Sequence, residues 1–320
     1  MAPYKLKSWV KIEKLDWDYL SININAIDLL RENQEKINWR LIFLNEHALE
    51  LIENNKKNLL KENKDFWNLL SSNPSFSAIN LLEKYPEKIN WNELSCNPSA
   101  IHIIEKNLDK SISSVLSSNP KAIQILKDNP HIINWSNLSS NINAINILEN
   151  NKDKIDWYII LKNPKAIHLI EEVIYGMNPY ITLDDSWNYK YVSSLLSQNT
   201  SAIDILKKHH KLINWKELSR NTKAIKLLET NLDKLDWNLI SSNPGTIKLL
   251  EQNQDKINWK YISLNENIFE LDYKLIKQRI QPFVEELMMV CFHPKRLMYY
   301  IEKYNYDIGD DDYIDNNYIN

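Results

Sequence analysis

The stretch 90–110, N-W-N-E-L-S-C-N-P-S-A-I-H-I-I-E-K-N-L-D-K, recurs with variation along nearly the whole chain at a basic period of 22 residues. A unit that short cannot bury its own apolar face, so its copies must stack into one continuous body. With Trp91 as the ruler, equivalent anchor positions fall at Trp17, Trp39, Trp67, Trp91, Ser113, Trp135, Trp157, Ser193, Trp215, Trp237 and Trp259. Six residues after every anchor stands an asparagine, from Asn23 to Asn265, in all eleven units.

Each unit reads as a short helix, a tight corner, a longer helix and a turn. Asn90 precedes Trp91, and Asn97 precedes Pro98. Asparagine is a poor interior residue but a leading N-cap, and proline suits the first helical position because its missing N–H is not needed there. The repeated asparagine is therefore predicted to cap the second helix. Ala100, with Ala26, Ala122, Ala144 and Ala224 at the same position, lets neighbouring helices approach closely, and Thr246 stands there in one unit. Ile123, Ile125 and Leu126 typify the inner apolar face behind it. The anchor tryptophans, with Leu94 and its equivalents three residues on, are expected to close the same core. A tryptophan stripe could also stack bases or sugars, but residues repeated in every unit serve what every unit shares.

The chain has 320 residues and a net charge of −3, so no global basic field argues for nucleic acid. Three glycines in the whole sequence argue against phosphate-cradling loops. Cys96 and Cys291 lie far apart without CxxC spacing, which points to a reducing compartment. No signal peptide or membrane-length apolar run is visible, so the expected location is the cytoplasm. The sequence carries no G-x-S-x-G, HExxH, P-loop or kinase pattern, and no nucleophile, base and orienter converge, so a non-enzymatic protein without cofactor or metal is expected.

Two places break the period. Extra residues near 54–66 separate Trp39 from Trp67, with two more near 75–77. A longer, aromatic and acidic excursion over about 173–192 separates Trp157 from Ser193. Insertions in solenoids map to one face, often the binding face. Tyr175, Tyr180, Asp184, Asp185, Trp187 and Tyr189 are accordingly the candidate partner-binding residues. The competing reading is that Trp187, Tyr189 and Tyr191 fill the core position left by Ser193. A second candidate surface is basic: Lys207, Lys208, Lys211, Lys216, Arg220, Lys223 and Lys226 could track phosphates with salt-sensitive affinity, although Glu217 and Glu229 dilute them. His209-His210 point about 100° apart on a helix and lack carboxylate or thiolate company, so they do not suggest a metal site.

The expected domain plan is an N-terminal capping helix in 1–14, an α-solenoid over 15–270, a C-terminal helical cap over 271–304 and a flexible acidic tail over 305–320. Caps are expected because a terminal repeat would otherwise expose its apolar flank. At about 8–10 Å per unit the axis would run roughly 90–110 Å.

The units N-P-S-A-I-H-I-I-E-K-N at 97–107 and D-K-I-N-W at 255–259, with the tail E-E-L-M-M-V-C-F-H-P-K-R-L-M-Y-Y-I-E-K at 285–303, resemble repeats in uncharacterised proteins of giant DNA viruses of amoebae. The bias to Asn, Ile and Lys agrees with an AT-rich genome. The alternation of helices around an N-P corner is also similar, in architecture, to leucine-rich-variant repeats, whose pattern lacks the tryptophan anchors. The resemblance brings no catalytic residues. It implies a viral protein in the host cytoplasm or viral factory, or in the virion.

The resulting expectation is an all-α solenoid that acts as a scaffold or adaptor for protein partners, without a membrane or small-molecule substrate. The alternatives are a virion structural or assembly component, and an RNA- or DNA-binding solenoid using the 207–226 surface. A subsidiary expectation is that the 281–303 helices dock a host ubiquitin-ligase adaptor in the manner of an F-box.

Overall fold

The computed structural model describes residues 3–55, 66–176 and 189–304. It is all-α apart from one pair of short strands, and its helices follow the repeat as expected. The chain falls into two compact units, Tyr4–Glu270 and a smaller one comprising Met1–Pro3 with Leu271–Asn320.

In a representative unit the anchor helix Trp91–Cys96 is followed by a 3₁₀ turn, Pro98–Ala100, a second helix, Ile101–Glu105, and another 3₁₀ turn, Leu108–Lys110. The predicted longer helix is thus half 3₁₀: the chain turns tightly at Asn97-Pro98 and settles into α geometry only at Ile101. Consecutive anchor helices approach one another more closely than consecutive second helices do. In a curved stack the closer layer is the inner one, so the anchor helices form the concave wall.

The repeated asparagine does more than cap. In all eleven units its Oδ1 accepts the backbone N–H two residues on, at 2.9–3.1 Å, as the sequence predicts. In all eleven its Nδ2 also donates, at 2.8–3.3 Å, to a backbone carbonyl of the preceding unit's anchor element. Every one of these asparagines is buried. Each therefore welds one unit to the last while starting its own second helix.

The preceding unit for Asn23 is the last one. Asn23 Nδ2 donates to Ser263 O at 3.0 Å and Asn265 O at 3.2 Å, as Asn141 does to Ser117 O and Asn119 O. The Asp16 N–H donates to Ser263 Oγ at 2.8 Å. Strand β1 (Tyr4–Leu6) pairs with strand β2 (Phe269–Leu271). The Tyr4–Glu270 unit is a closed ring of eleven repeats, and about 100 Å of stacked axis is its circumference, giving a mean diameter of about 30 Å.

Closure corrects two expectations. No N-terminal capping helix forms, because Tyr4–Leu6 is a strand and Ile12–Lys14 is the 3₁₀ turn that precedes each anchor elsewhere. The last unit, expected like the others to carry a longer helix after its corner, instead passes from the 3₁₀ turn Glu266–Ile268 into β2. The flank of the last repeat is covered by the first, so the repeat stack has no open end to cap. The segment after Leu271 is helical as expected, over Tyr273–Ile280, Val284–Cys291 and Pro294–Tyr304, but no residue in these helices is buried.

A second ladder runs beside the asparagines. Nine serines four residues after the anchor accept, at 2.8–3.1 Å, the N–H just before the next anchor. The two exceptions are Phe43 and Leu161, the units that precede the two long insertions. Both units have 3₁₀ rather than α anchor elements, Leu41–Leu44 and Ile159–Lys162. Across these junctions an apolar pair replaces the polar one: Phe43 meets Phe66 edge-on at 5.0 Å, and buried Leu161 precedes buried Val192. Val192 lies inside the extended helix Tyr189–Gln198, where its N–H sits in the helical ladder and needs no serine.

The anchor tryptophans sit at the edge of the core, and only Trp157 is fully buried. Six carry over the ring, at 4.6–5.4 Å, the lysine of the turn that closes their unit: Lys36 on Trp17, Lys110 on Trp91, Lys154 on Trp135, Lys234 on Trp215, Lys256 on Trp237 and, across the closure, Lys14 on Trp259. Where the anchor is serine, the lysine position is aliphatic: Ile132 follows Ser113 and Leu212 follows Ser193. The ammonium is present only where there is a ring to cover.

Candidate partner-binding groove

Of the residues singled out in the long insertion, Tyr180, Asp184, Asp185 and Trp187 lie outside the described residues. Tyr175 and Tyr189 mark its two ends. The second helix of this unit, Ile167–Ile174, runs to eight residues because Val173-Ile174 stand where other units turn at an asparagine. It stops at Tyr175 and Gly176, and Gly176 adopts φ +70°, a left-handed conformation that glycine enters without a Cβ clash. Tyr175 and Tyr189 are 44% and 54% exposed, and Tyr191 is 44% exposed with its ring 5.5 Å from that of Tyr158. Tyr189 and Tyr191 therefore do not fill the core behind Ser193, where Val192 is the buried residue.

Between the insertion's ends and the next unit lies a groove of about 550 Å³. Ile174 and Leu212 supply apolar lining, and Tyr189, Lys208, His210 and Lys211 line it as well. His209 also lines it and packs its ring against Tyr175 at 5.7 Å. Among the described residues that line this groove there is no carboxylate. Lys207, by contrast, is turned to Asp204 at 3.0 Å.

Repeat arithmetic explains the local chemistry. At the position of His209, seven other units carry asparagine, whose Nδ2 donates back to the carbonyl four residues earlier at 2.8–3.0 Å. The following turn normally reads acid then lysine, as in Asp153-Lys154 and Asp233-Lys234. Here it reads Lys211-Leu212. One unit thus exchanges an asparagine for a histidine and an acid for a lysine. These column departures are present in the sequence itself.

The basic residues form no single stripe. Lys207 and Lys208 end the helix Ile203–Lys208, and Lys226 is on the second helix Ile225–Glu229. Lys216 is on the anchor helix Trp215–Leu218, and Arg220 follows it with its Nε 4.0 Å from Glu217. Lys223 stands at the corner, its N–H bound to Asn221. Inner layer, corner and outer layer each take a share.

Among the described residues no cluster of three or more His, Cys, Asp or Glu side chains could hold a metal ion, and no helix is long and apolar enough to cross a membrane. Cys96 is exposed at its tip, but partial burial, then the Glu93 carboxylate, push its thiol pKa up, which makes it a weak nucleophile near neutral pH. No family model, curated protein or solved structure matches this chain.

Proposed function

We propose that the protein is a ring-shaped, non-catalytic adaptor that holds protein partners, with the Tyr175–His209 groove as a principal contact. The observation that carries this reading is the departure at one junction of an otherwise self-satisfying ring. Elsewhere among the described residues, the asparagines equivalent to His209 bond back to their own helices. Here exposed tyrosines and the lysines Lys208 and Lys211 stand beside the apolar Ile174 and Leu212. Buried or clustered aromatic anchors with a polar rim are the usual energetic centre of protein interfaces. The resemblance to giant-virus proteins would put the adaptor in the cytoplasm or viral factory of an infected amoeba.

The test is site-specific photo-crosslinking in infected cells with the reactive side chain at Tyr189, compared with Ser136 on the inner wall. The adaptor reading expects a defined, stoichiometric protein adduct at 189 that survives nuclease and disappears with Lys211→Glu. Adducts only to capsid proteins would favour the virion component. Loss of every adduct on nuclease treatment would favour nucleic-acid binding and overturn the adaptor reading.

A further inference from the structure

The groove beside Tyr175 and His209 departs from the rest of the ring in charge as well as in shape. Three elements line it: the helix Ile167–Ile174, the helix Tyr189–Gln198, and the helix Ile203–Lys208 with its turn His210–Leu212. Together they carry the carboxylates of Glu171, Glu172 and Asp204 against Lys190, Lys207, Lys208 and Lys211. Two of those carboxylates are engaged, Glu172 by Lys152 at 2.9 Å and Asp204 by Lys207 at 3.0 Å. Glu171 is left against Lys190, Lys208 and Lys211, none of which forms an ion pair among the described residues.

A second column of the repeat is unbalanced in the same sense. On the outer layer a side chain near the end of one second helix faces a side chain near the start of the next. Arg31 meets Glu50 at 3.1 Å, Glu83 meets His102 at 3.0 Å, and Glu149 meets His168 at 2.7 Å. The equivalent pair beside the groove is Lys207 and Lys226, two cations, and Lys207 turns back to Asp204 on its own helix. The turn column likewise exchanges its acid for Lys211. Both departures add positive charge at one junction, and departures from a self-consistent pattern are where function is expected.

We propose that the groove takes an acidic protein segment with one apolar side chain. That side chain seats on Ile174 and Leu212 beside Tyr189, and carboxylates flanking it meet Lys208 and Lys211. The inference rests on the adaptor reading and adds the chemistry of the partner. A recess of about 550 Å³ is the size of an ordinary ligand pocket and admits a short stretch of peptide. A nucleic-acid strand instead needs cations that track its backbone, and the lysines of 207–226 are divided among inner layer, corner and outer layer.

The experiment is fluorescence anisotropy of the full chain with a labelled peptide in which glutamates flank a single phenylalanine. Exchanging the glutamates for glutamine, or the phenylalanine for alanine, should each weaken binding by about tenfold. Added salt should weaken it as well. Lys208→Glu with Lys211→Glu should abolish binding and accept instead the peptide whose glutamates are lysines; both positions are exposed, and gain of the lysine peptide shows that the variant is folded. Lys223→Glu with Lys248→Glu, outside the groove, should leave binding intact. A glutamine peptide that binds equally well, or binding indifferent to Lys208 and Lys211, overturns the inference. So does a single-stranded oligonucleotide that binds more tightly through the same two lysines. Peptide binding seen only after 177–188 are exchanged for a neutral linker would make the chain's own Asp184 and Asp185 the occupant, and overturns it too. Cross-linking from position 189, repeated in lysate with excess acidic peptide, separates this inference from the reading beneath it. An adduct that the peptide fails to displace keeps the adaptor and overturns the acidic segment, whereas no adduct at all overturns the adaptor reading and leaves the groove's preference to the anisotropy.

Discussion

Asn23 donates to the backbone carbonyl of Ser263, 240 residues away, at 3.0 Å. The same bond joins each consecutive pair of units, so the contact is the ordinary inter-repeat weld made between the two ends of the series. A linear repeat protein spends stability on its two open flanks. This one has none in its repeat stack, and β1 with β2 ties the junction where the chain itself does not continue.

The asparagine ladder can be separated from the cap by substitution. Asp caps a helix as well as Asn does, so a residue whose only duty was capping would tolerate Asn141→Asp. Here Asp would set a buried carboxylate against Ser117 O and Asn119 O, where Nδ2 now donates. We expect Asn141→Ala to cost about 3 kcal/mol and Asn141→Asp at least as much, read from urea midpoints. A near-neutral Asp variant would reduce the asparagine to a cap.

The serine ladder carries a prediction with a built-in control. Ser139→Ala leaves the Asp156 N–H without its acceptor and should cost about 1–2 kcal/mol. Leu161→Ser should recover nothing, since the Val192 N–H it would face is already within a helix; loss of apolar packing should make it destabilising. The check is thermal and chemical unfolding of both variants.

For the tryptophan–lysine pairs, Lys154→Ala should cost about 0.5–1 kcal/mol through loss of the ammonium over Trp135. Building the pair where it is missing is the sharper case. Ser113→Trp and Ile132→Lys should show favourable coupling of about 0.5–1 kcal/mol in a double-mutant cycle. Zero coupling would make the covariation along the chain a coincidence.

Much of the ring was legible in the repeat itself. Asn97 and its equivalents announced the corners, and Ala100, Ile103 and Ile104 announced the core. What the repeat could not announce was closure, because curvature is the sum of small rotations per unit, and an open arc and a full circle of the same units read alike. The weak clue lay in 4–14, where Ile12-Glu13-Lys14 reproduces the turn that normally follows a preceding repeat. The capping logic led to an N-terminal helix there, whereas the last unit's need for a neighbour was met by the first. At the groove, Tyr175 and Tyr189 were found from the insertion, but the role of His209 required knowing that its asparagine counterparts bond back to their own helices. The 207–226 residues seemed contiguous because sequence proximity conceals the change of layer at each corner.

The most direct test of closure is a pair of distances by double electron–electron resonance, with Cys96 and Cys291 replaced by serine. Spin labels at Glu35 and Asp255 lie two units apart only if the ring is closed; labels at Asp109 and Asp153 lie two units apart along the chain in any case. Closure predicts that both pairs give similar distributions centred at about 20 Å, from the packing distance of neighbouring helices. A separation several-fold longer for the first pair, with the second unchanged, would mean an open solenoid and contradict the ring.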